Sequence, residues 1–196
     1  MTAPQAHDRP LASLKAWALS AMTLALSIAA ACWTYTAWMT RTQLLDFPRL
    51  ALFVQQHPDV WNTLGVFALG ILCILLAHEL GHLIVAPDLA RTPPIWIPAP
   101  GLYLPCFGGI RVTSSPLTLR YPAWQALLGP TFGIVMSLLC ICVTPSFMER
   151  SPYILTLDTS ASPLALQYLF ATEPTIELTS LQTAGWMGLL LSSFQL

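Results

Sequence analysis

Four uncharged, mostly apolar runs alternate with polar and proline-rich connectors: Ala16 to Thr40, Val60 to Ala77, Tyr121 to Met148 and Leu178 to Leu196. Each reaches the roughly 18 residues a helix needs to cross a bilayer core of about 30 Å. The pattern predicts an all-α polytopic membrane protein, one membrane-embedded domain over residues 1–196. About four transmembrane helices are expected, at about 16–39, 60–86, 123–143 and 178–196. The first run follows Arg9 and Lys15, as a signal peptide would. It is longer than the roughly 7–15 apolar residues of a signal core. It also ends in Trp33, Tyr35 and Trp38, a pattern that suits an interfacial aromatic belt. It therefore reads as a retained span.

The second run continues as helix to about Leu83, until Pro87 and the Pro93-Pro94 pair stop it. Next comes a proline-rich connector, Thr92 to Pro122. It holds a short β element, for which Ile110-Arg111-Val112-Thr113, behind Gly108-Gly109, is the strand candidate. The third span is interrupted by Gly129-Pro130. A looser segment, Thr144 to Glu177, carries Glu149, Asp158, Glu173 and Glu177.

Composition sharpens this picture. The chain is 55% hydrophobic and 9% charged, against roughly 25% charged in an average soluble domain. Disorder needs the opposite balance. Eight Lys plus Arg against nine Asp plus Glu leave a net charge of -1. No basic stripe is available for nucleic acid, so that partner class is excluded. With the N-terminus inside, Arg9, Lys15, Arg91, Arg111 and Arg120 are cytoplasmic, and Arg41, Arg49 and Arg150 lie outside. The positive-inside rule favours that orientation and a cytoplasmic connector after His82. Cys32, Cys73, Cys140 and Cys142 sit in apolar runs, where a thiol behaves as a small hydrophobe. No Cys-x-x-Cys pair supports a thiolate zinc cluster, and Cys106 in the connector, His7 and His57 receive no role.

The chemistry concentrates in His78-Glu79-Leu80-Gly81-His82, an H-E-x-x-H pattern. Residues i and i+4 share a helix face, so His78 and His82 can aim two imidazoles at one zinc ion. Zinc takes neutral nitrogen ligands at about 2.0–2.1 Å. Glu79, one residue round the helix, can deprotonate a water whose pKa the metal lowers. Charged groups inside an apolar span are costly and mark functional sites by default. His78 lies about 13 Å from the helix end at 1.5 Å per residue, below the membrane surface. The expected substrate is another membrane-spanning protein. Its helix must unwind locally before it can be cut, because a spanning helix hides its backbone in hydrogen bonds. The stretch from Gly108 to Thr113 is expected to offer that unwound peptide an edge strand.

These residues resemble the site-2 protease family of intramembrane zinc metalloproteases (peptidase family M50). Beyond the H-E-x-x-H motif, Pro94-Ile95-Trp96-Ile97-Pro98-Ala99-Pro100 resembles the family's "P-x-x-I-P-x-P" connector. Phe107-Gly108-Gly109-Ile110, followed by Arg111 and Ser114, is similar to its "F-G-A-x-x-x-x-x-S" stretch. Gly129-Pro130 and Gly133 resemble "A-G-P-x-A-G" in the next span. The resemblance implies a Zn2+ cofactor held by His78 and His82, with Glu79 as catalytic base. It also implies regulated proteolysis of membrane-bound regulators, in a bacterial inner membrane or a plastid membrane.

The family's third zinc ligand is an Asp in an "L-D-G" or "N-P-x-D-G" motif, and it has no counterpart here. Ala184 to Leu190 resembles the span leading into that motif. The chain is therefore expected to stop a few residues before the ligand, with Gln195 near the family's Asn position. Gln125 stands near the place of an Asp that commonly precedes the Gly-Pro span. Glu149, Asp158, Glu173 and Glu177 are expected to be solvated charges rather than substitute ligands, and Asp88, past Pro87, to point away. Two other readings remain open: a truncated or degenerate, non-catalytic homologue acting as a membrane scaffold, and a small multi-pass transporter subunit with a coincidental motif.

Overall fold

The computed structural model describes residues 14–41, 43, 45–86, 92–98, 106–110, 127–143, 155–158 and 175–194. In chain order the described elements are α1 (Leu14–Thr40), α2 (Phe47–Gln56), α3 (Val60–Val85), β1 (Ile95–Pro98), β2 (Cys106–Ile110), α4 (Leu128–Cys142), β3 (Leu155–Asp158), β4 (Thr175–Leu178) and α5 (Ser180–Phe194). The described chain is mostly helical, as its apolar runs predict.

Two of these helices, α1 with 27 residues and α3 with 26, are long and apolar enough to cross a membrane. At 1.5 Å per residue each extends about 40 Å. The 15-residue helices α4 and α5 extend about 23 Å; of the expected spans at 123–143 and 178–196, residues 123–126, 195 and 196 are outside the described residues. Gly129-Pro130 opens α4 instead of interrupting it; in the first turn a proline gives up no intrahelical hydrogen bond. At α5, β4 takes Thr175 to Leu178 before the helix can begin. Thr179 and Gln182 then cap it reciprocally: Gln182 N–H donates to Thr179 Oγ1 at 3.3 Å, and Thr179 N–H to Gln182 Oε1 at 3.0 Å.

Helix α2 is an element the apolar runs did not announce. Asp46 caps it, accepting from Arg49 N–H at 3.3 Å, and Pro48 sits in its first turn. It turns Leu50 inward.

Two antiparallel two-stranded sheets are formed. In the connector, β1 pairs with β2 through Ile95 with Ile110, Trp96 with Gly109 and Pro98 with Cys106, with a register shift between Trp96 and Pro98. The described strand covers Cys106–Ile110 and so includes Ile110 of the expected stretch; Arg111, Val112 and Thr113 are outside the described residues. Gly108-Gly109 sits within the strand because a Cβ at Gly109 would come within 2.9 Å of Pro94 Cβ. The second sheet pairs β3 with β4, from Leu155 opposite Leu178 to Asp158 opposite Thr175. It lies within the segment whose polar composition reads as loose.

Helices α3, α4 and α5 pack on one another, and α1 packs on α3 and β1. Tyr35 of α1 stacks on Phe67 of α3, with ring centroids 4.4 Å apart and planes 10° apart. Trp96, 4% exposed, joins the same core. Its N–H donates to Thr23 Oγ1 at 3.1 Å, tying β1 to α1. Several buried polar residues of α1 and α4 return their hydroxyls to the preceding turn: Thr34 to Ala30 O, Thr36 to Cys32 O and Ser137 to Gly133 O, at 2.7–2.9 Å. Large apolar residues lie on both sides of the helices: Phe67, Ile71, Ile74 and Leu75 are buried in the core, while others face outward. Small residues Gly129, Gly133 and Ser137 are buried on α4, whereas Val135, Leu138 and Leu139 are exposed. On α3, Leu69, Leu76, Leu80 and Ile84 are likewise exposed. An apolar solvent favours small residues at helix contacts and large apolar ones outside.

Candidate metal centre

Helix α3 carries His78, Glu79 and His82 without a break. The 3.6-residue period turns His78 and His82 to one side. Their Nε2 atoms converge to 3.1 Å, with ring centroids 4.9 Å apart and planes at 71°. Two ligand nitrogens about 2.0–2.1 Å from one zinc ion lie about 3.0–3.5 Å apart in near-tetrahedral geometry. The spacing, which is also that of a hydrogen bond between the two rings, matches two ligands of one zinc ion. His78 is 7% exposed; Glu79 and His82 are half-buried.

Helix α4 makes room for both rings. It runs antiparallel to α3, so that its glycines meet the histidines in reverse order. A Cβ at Gly129 would overlap the His82 ring at Nε2, Cε1 and Cδ2, and one at Gly133 would come within 3.1 Å of His78 Nδ1. The i, i+4 histidine pair thus faces an i, i+4 glycine pair. The backbones approach closely at the same level: a Cβ at Gly81 would overlap the Leu128 carbonyl oxygen. Helical glycine costs about 1 kcal/mol relative to alanine, and here that cost permits contacts no side chain would allow.

Helix α5 completes the enclosure, running parallel to α3 and antiparallel to α4. A Cβ at Gly70 would meet Ala184 Cβ at 2.8 Å, and one at Gly188 would meet Ile74 Cδ1 at 2.7 Å. Ser192 of α5 is fully buried and lies against Gly133, next to the His78 ring. On the other flank, β2 passes Glu79: a Cβ at Gly109 would stand 3.4 Å from Glu79 Oε1. The connector strand therefore runs beside the carboxylate that the helix presents.

Among the described residues, no group of three His, Cys, Asp or Glu side chains converges. Pro87, Asp88, Gln125, Glu149, Glu173 and Gln195 are outside the described residues, as is His7. Asp158 and Glu177 belong to the second sheet, in β3 and β4. His57 ends α2, its Nδ1 2.9 Å from Phe53 O. An apolar groove between α1, α2 and α3, lined by Cys32, Trp33, Trp61 and Leu64 among others, includes none of the three site residues. Sequence reasoning overlooked two things: the pairing of Gly129 and Gly133 with the histidines, and Ser192. The matching four-residue spacings were the available signal for the first; nothing in the sequence marks the second.

No family model matches this chain, and neither a curated protein nor a solved structure shows significant similarity to it.

Proposed function

We propose that this chain is a multi-pass, membrane-embedded zinc metalloendopeptidase of the site-2 protease type, hydrolysing peptide bonds of membrane-spanning proteins. The observation that carries the reading is the 3.1 Å convergence of His78 and His82 Nε2, with Glu79 between them in sequence and β2 beside its carboxylate. The motifs in the connector and in α4 support the same family. The exposed apolar faces of α3 and α4 support a lipid surrounding.

His78 and His82 would hold the metal through Nε2. When bound, zinc supplies Lewis-acid polarisation of a carbonyl and makes water acidic near neutral pH. Glu79 Oε1 accepts the proton of the attacking water and returns it to the departing amide nitrogen. Packing of α3 against α4 at Gly81, Gly129 and Gly133 fixes both rings, so the site is rigid before substrate arrives. His78 lies about 10 Å from the end of α3, so a substrate helix must lose hydrogen-bonded structure to reach it. The β2 strand, lying beside Glu79, is suited to receive the extended peptide.

The test uses the full chain in detergent or nanodiscs with a model membrane peptide. Glu79→Gln should bind zinc like the parent and lose cleavage by at least about 100-fold; His78→Ala should lose zinc. A non-catalytic scaffold would instead bind zinc or peptide with no cleavage by the parent chain. Cleavage by Glu79→Gln at the parental rate would reject the assigned base.

A further inference from the structure

Ser192 of α5 is fully buried, and among the described residues its hydroxyl has no hydrogen-bond partner. Leaving a buried hydroxyl unpaired is unfavourable, so its surroundings indicate what it serves. The point that a Gly133 Cβ would occupy is overlapped by Ser192 Oγ and lies 3.1 Å from His78 Nδ1. Helices α3, α4 and α5 therefore bring one hydroxyl and one imidazole nitrogen to either side of the same glycine. That nitrogen is the one facing away from His82, because His78 meets His82 through Nε2.

A histidine that ligates a metal through Nε2 carries its proton on Nδ1. A partner for that proton fixes both tautomer and ring orientation. We propose that Ser192 Oγ is this partner, accepting from His78 Nδ1–H through one bridging water, and so keeping the Nε2 lone pair on the metal side. The inference rests on the zinc-site reading and adds a positioning residue to it. Ser192 stands behind the ring and touches neither metal nor substrate. Gly133 is the permissive element, since any side chain there would separate the two groups. Serine also suits the location because its hydroxyl can both accept and donate.

The experiment is zinc affinity of the purified full chain, measured by competition with a chelator. The variants are Ser192→Ala, Ser192→Thr and His78→Ala. Ser192→Ala should bind zinc about 10–100-fold more weakly than the parent, the range typical of removing such a partner. Its metal-free thermal midpoint should be unchanged. Ser192→Thr, which keeps the hydroxyl, should restore parental affinity. Parental affinity in Ser192→Ala, alongside loss of zinc in His78→Ala, overturns this inference and leaves the metal site standing. A parent chain that takes up no zinc overturns both. A second measurement needs no variant: nitrogen NMR of the zinc-loaded chain with isotope-labelled histidine should show His78 protonated and hydrogen-bonded at Nδ1. A bare Nδ1 there rejects the assignment.

Discussion

Alanine at position 129 places one methyl group where the structure has the His82 ring. The added Cβ would overlap Nε2, Cε1 and Cδ2. Non-bonded carbon atoms settle at about 3.5–4.0 Å, so the ring must retreat by about 1 Å or more. Metal sites tolerate only about ±0.2 Å in ligand distance. The 3.1 Å approach of the two Nε2 atoms is then lost, and on the proposed reading His82 could no longer share a zinc ion with His78. Zinc affinity should fall at least to the upper end of the roughly 10–100-fold range for changes behind a ligand; 100-fold is about 2.8 kcal/mol. Overpacking costs a further 1–3 kcal/mol or so of stability, offset by up to about 1 kcal/mol from replacing a helical glycine. The fold should therefore survive while the metal site does not. Chelator competition on the full chain, with helix content followed by circular dichroism, separates the two effects. Gly65→Ala is the control: among the described residues nothing lies within 4 Å of its Cβ position, so zinc binding should be unchanged and stability up to about 1 kcal/mol higher. A folded Gly129→Ala chain that binds zinc within about threefold of the parent would refute the packing argument, since 1.4 kcal/mol already corresponds to tenfold.

Two changes away from the centre probe the scaffold. Phe67→Leu keeps an apolar side chain but removes the stack with Tyr35, and should cost about 0.5–1.5 kcal/mol, read as a lower unfolding midpoint in denaturant. Thr23→Val preserves shape but leaves Trp96 N–H without its acceptor, at about 1–3 kcal/mol. Faster hydrogen exchange at the Trp96 amide is the expected signature, and an unchanged rate would mean β1 is held to α1 by packing alone.

Local physics decided a good part of this molecule. Apolar runs of sufficient length dictate α1 and α3, because a chain with so few charges gains most by closing its backbone hydrogen bonds within each segment. Helical periodicity alone puts His78 and His82 on one face, and their rings meet there. Other features were not legible, and each depends on a partner remote in sequence. Composition marks 144–177 as loose, yet β3 and β4 pair across the intervening chain, which no local pattern encodes. In the connector, Gly109 stands where the strand passes Pro94 with no room for a Cβ, a contact that no local pattern announces. Above all, only tertiary packing aligned Gly129 and Gly133 with the two imidazoles and brought Ser192 behind one of them. Spacing along one helix sets which way a side chain points; what it meets there is set by close packing between helices, and that is a property of the assembled fold.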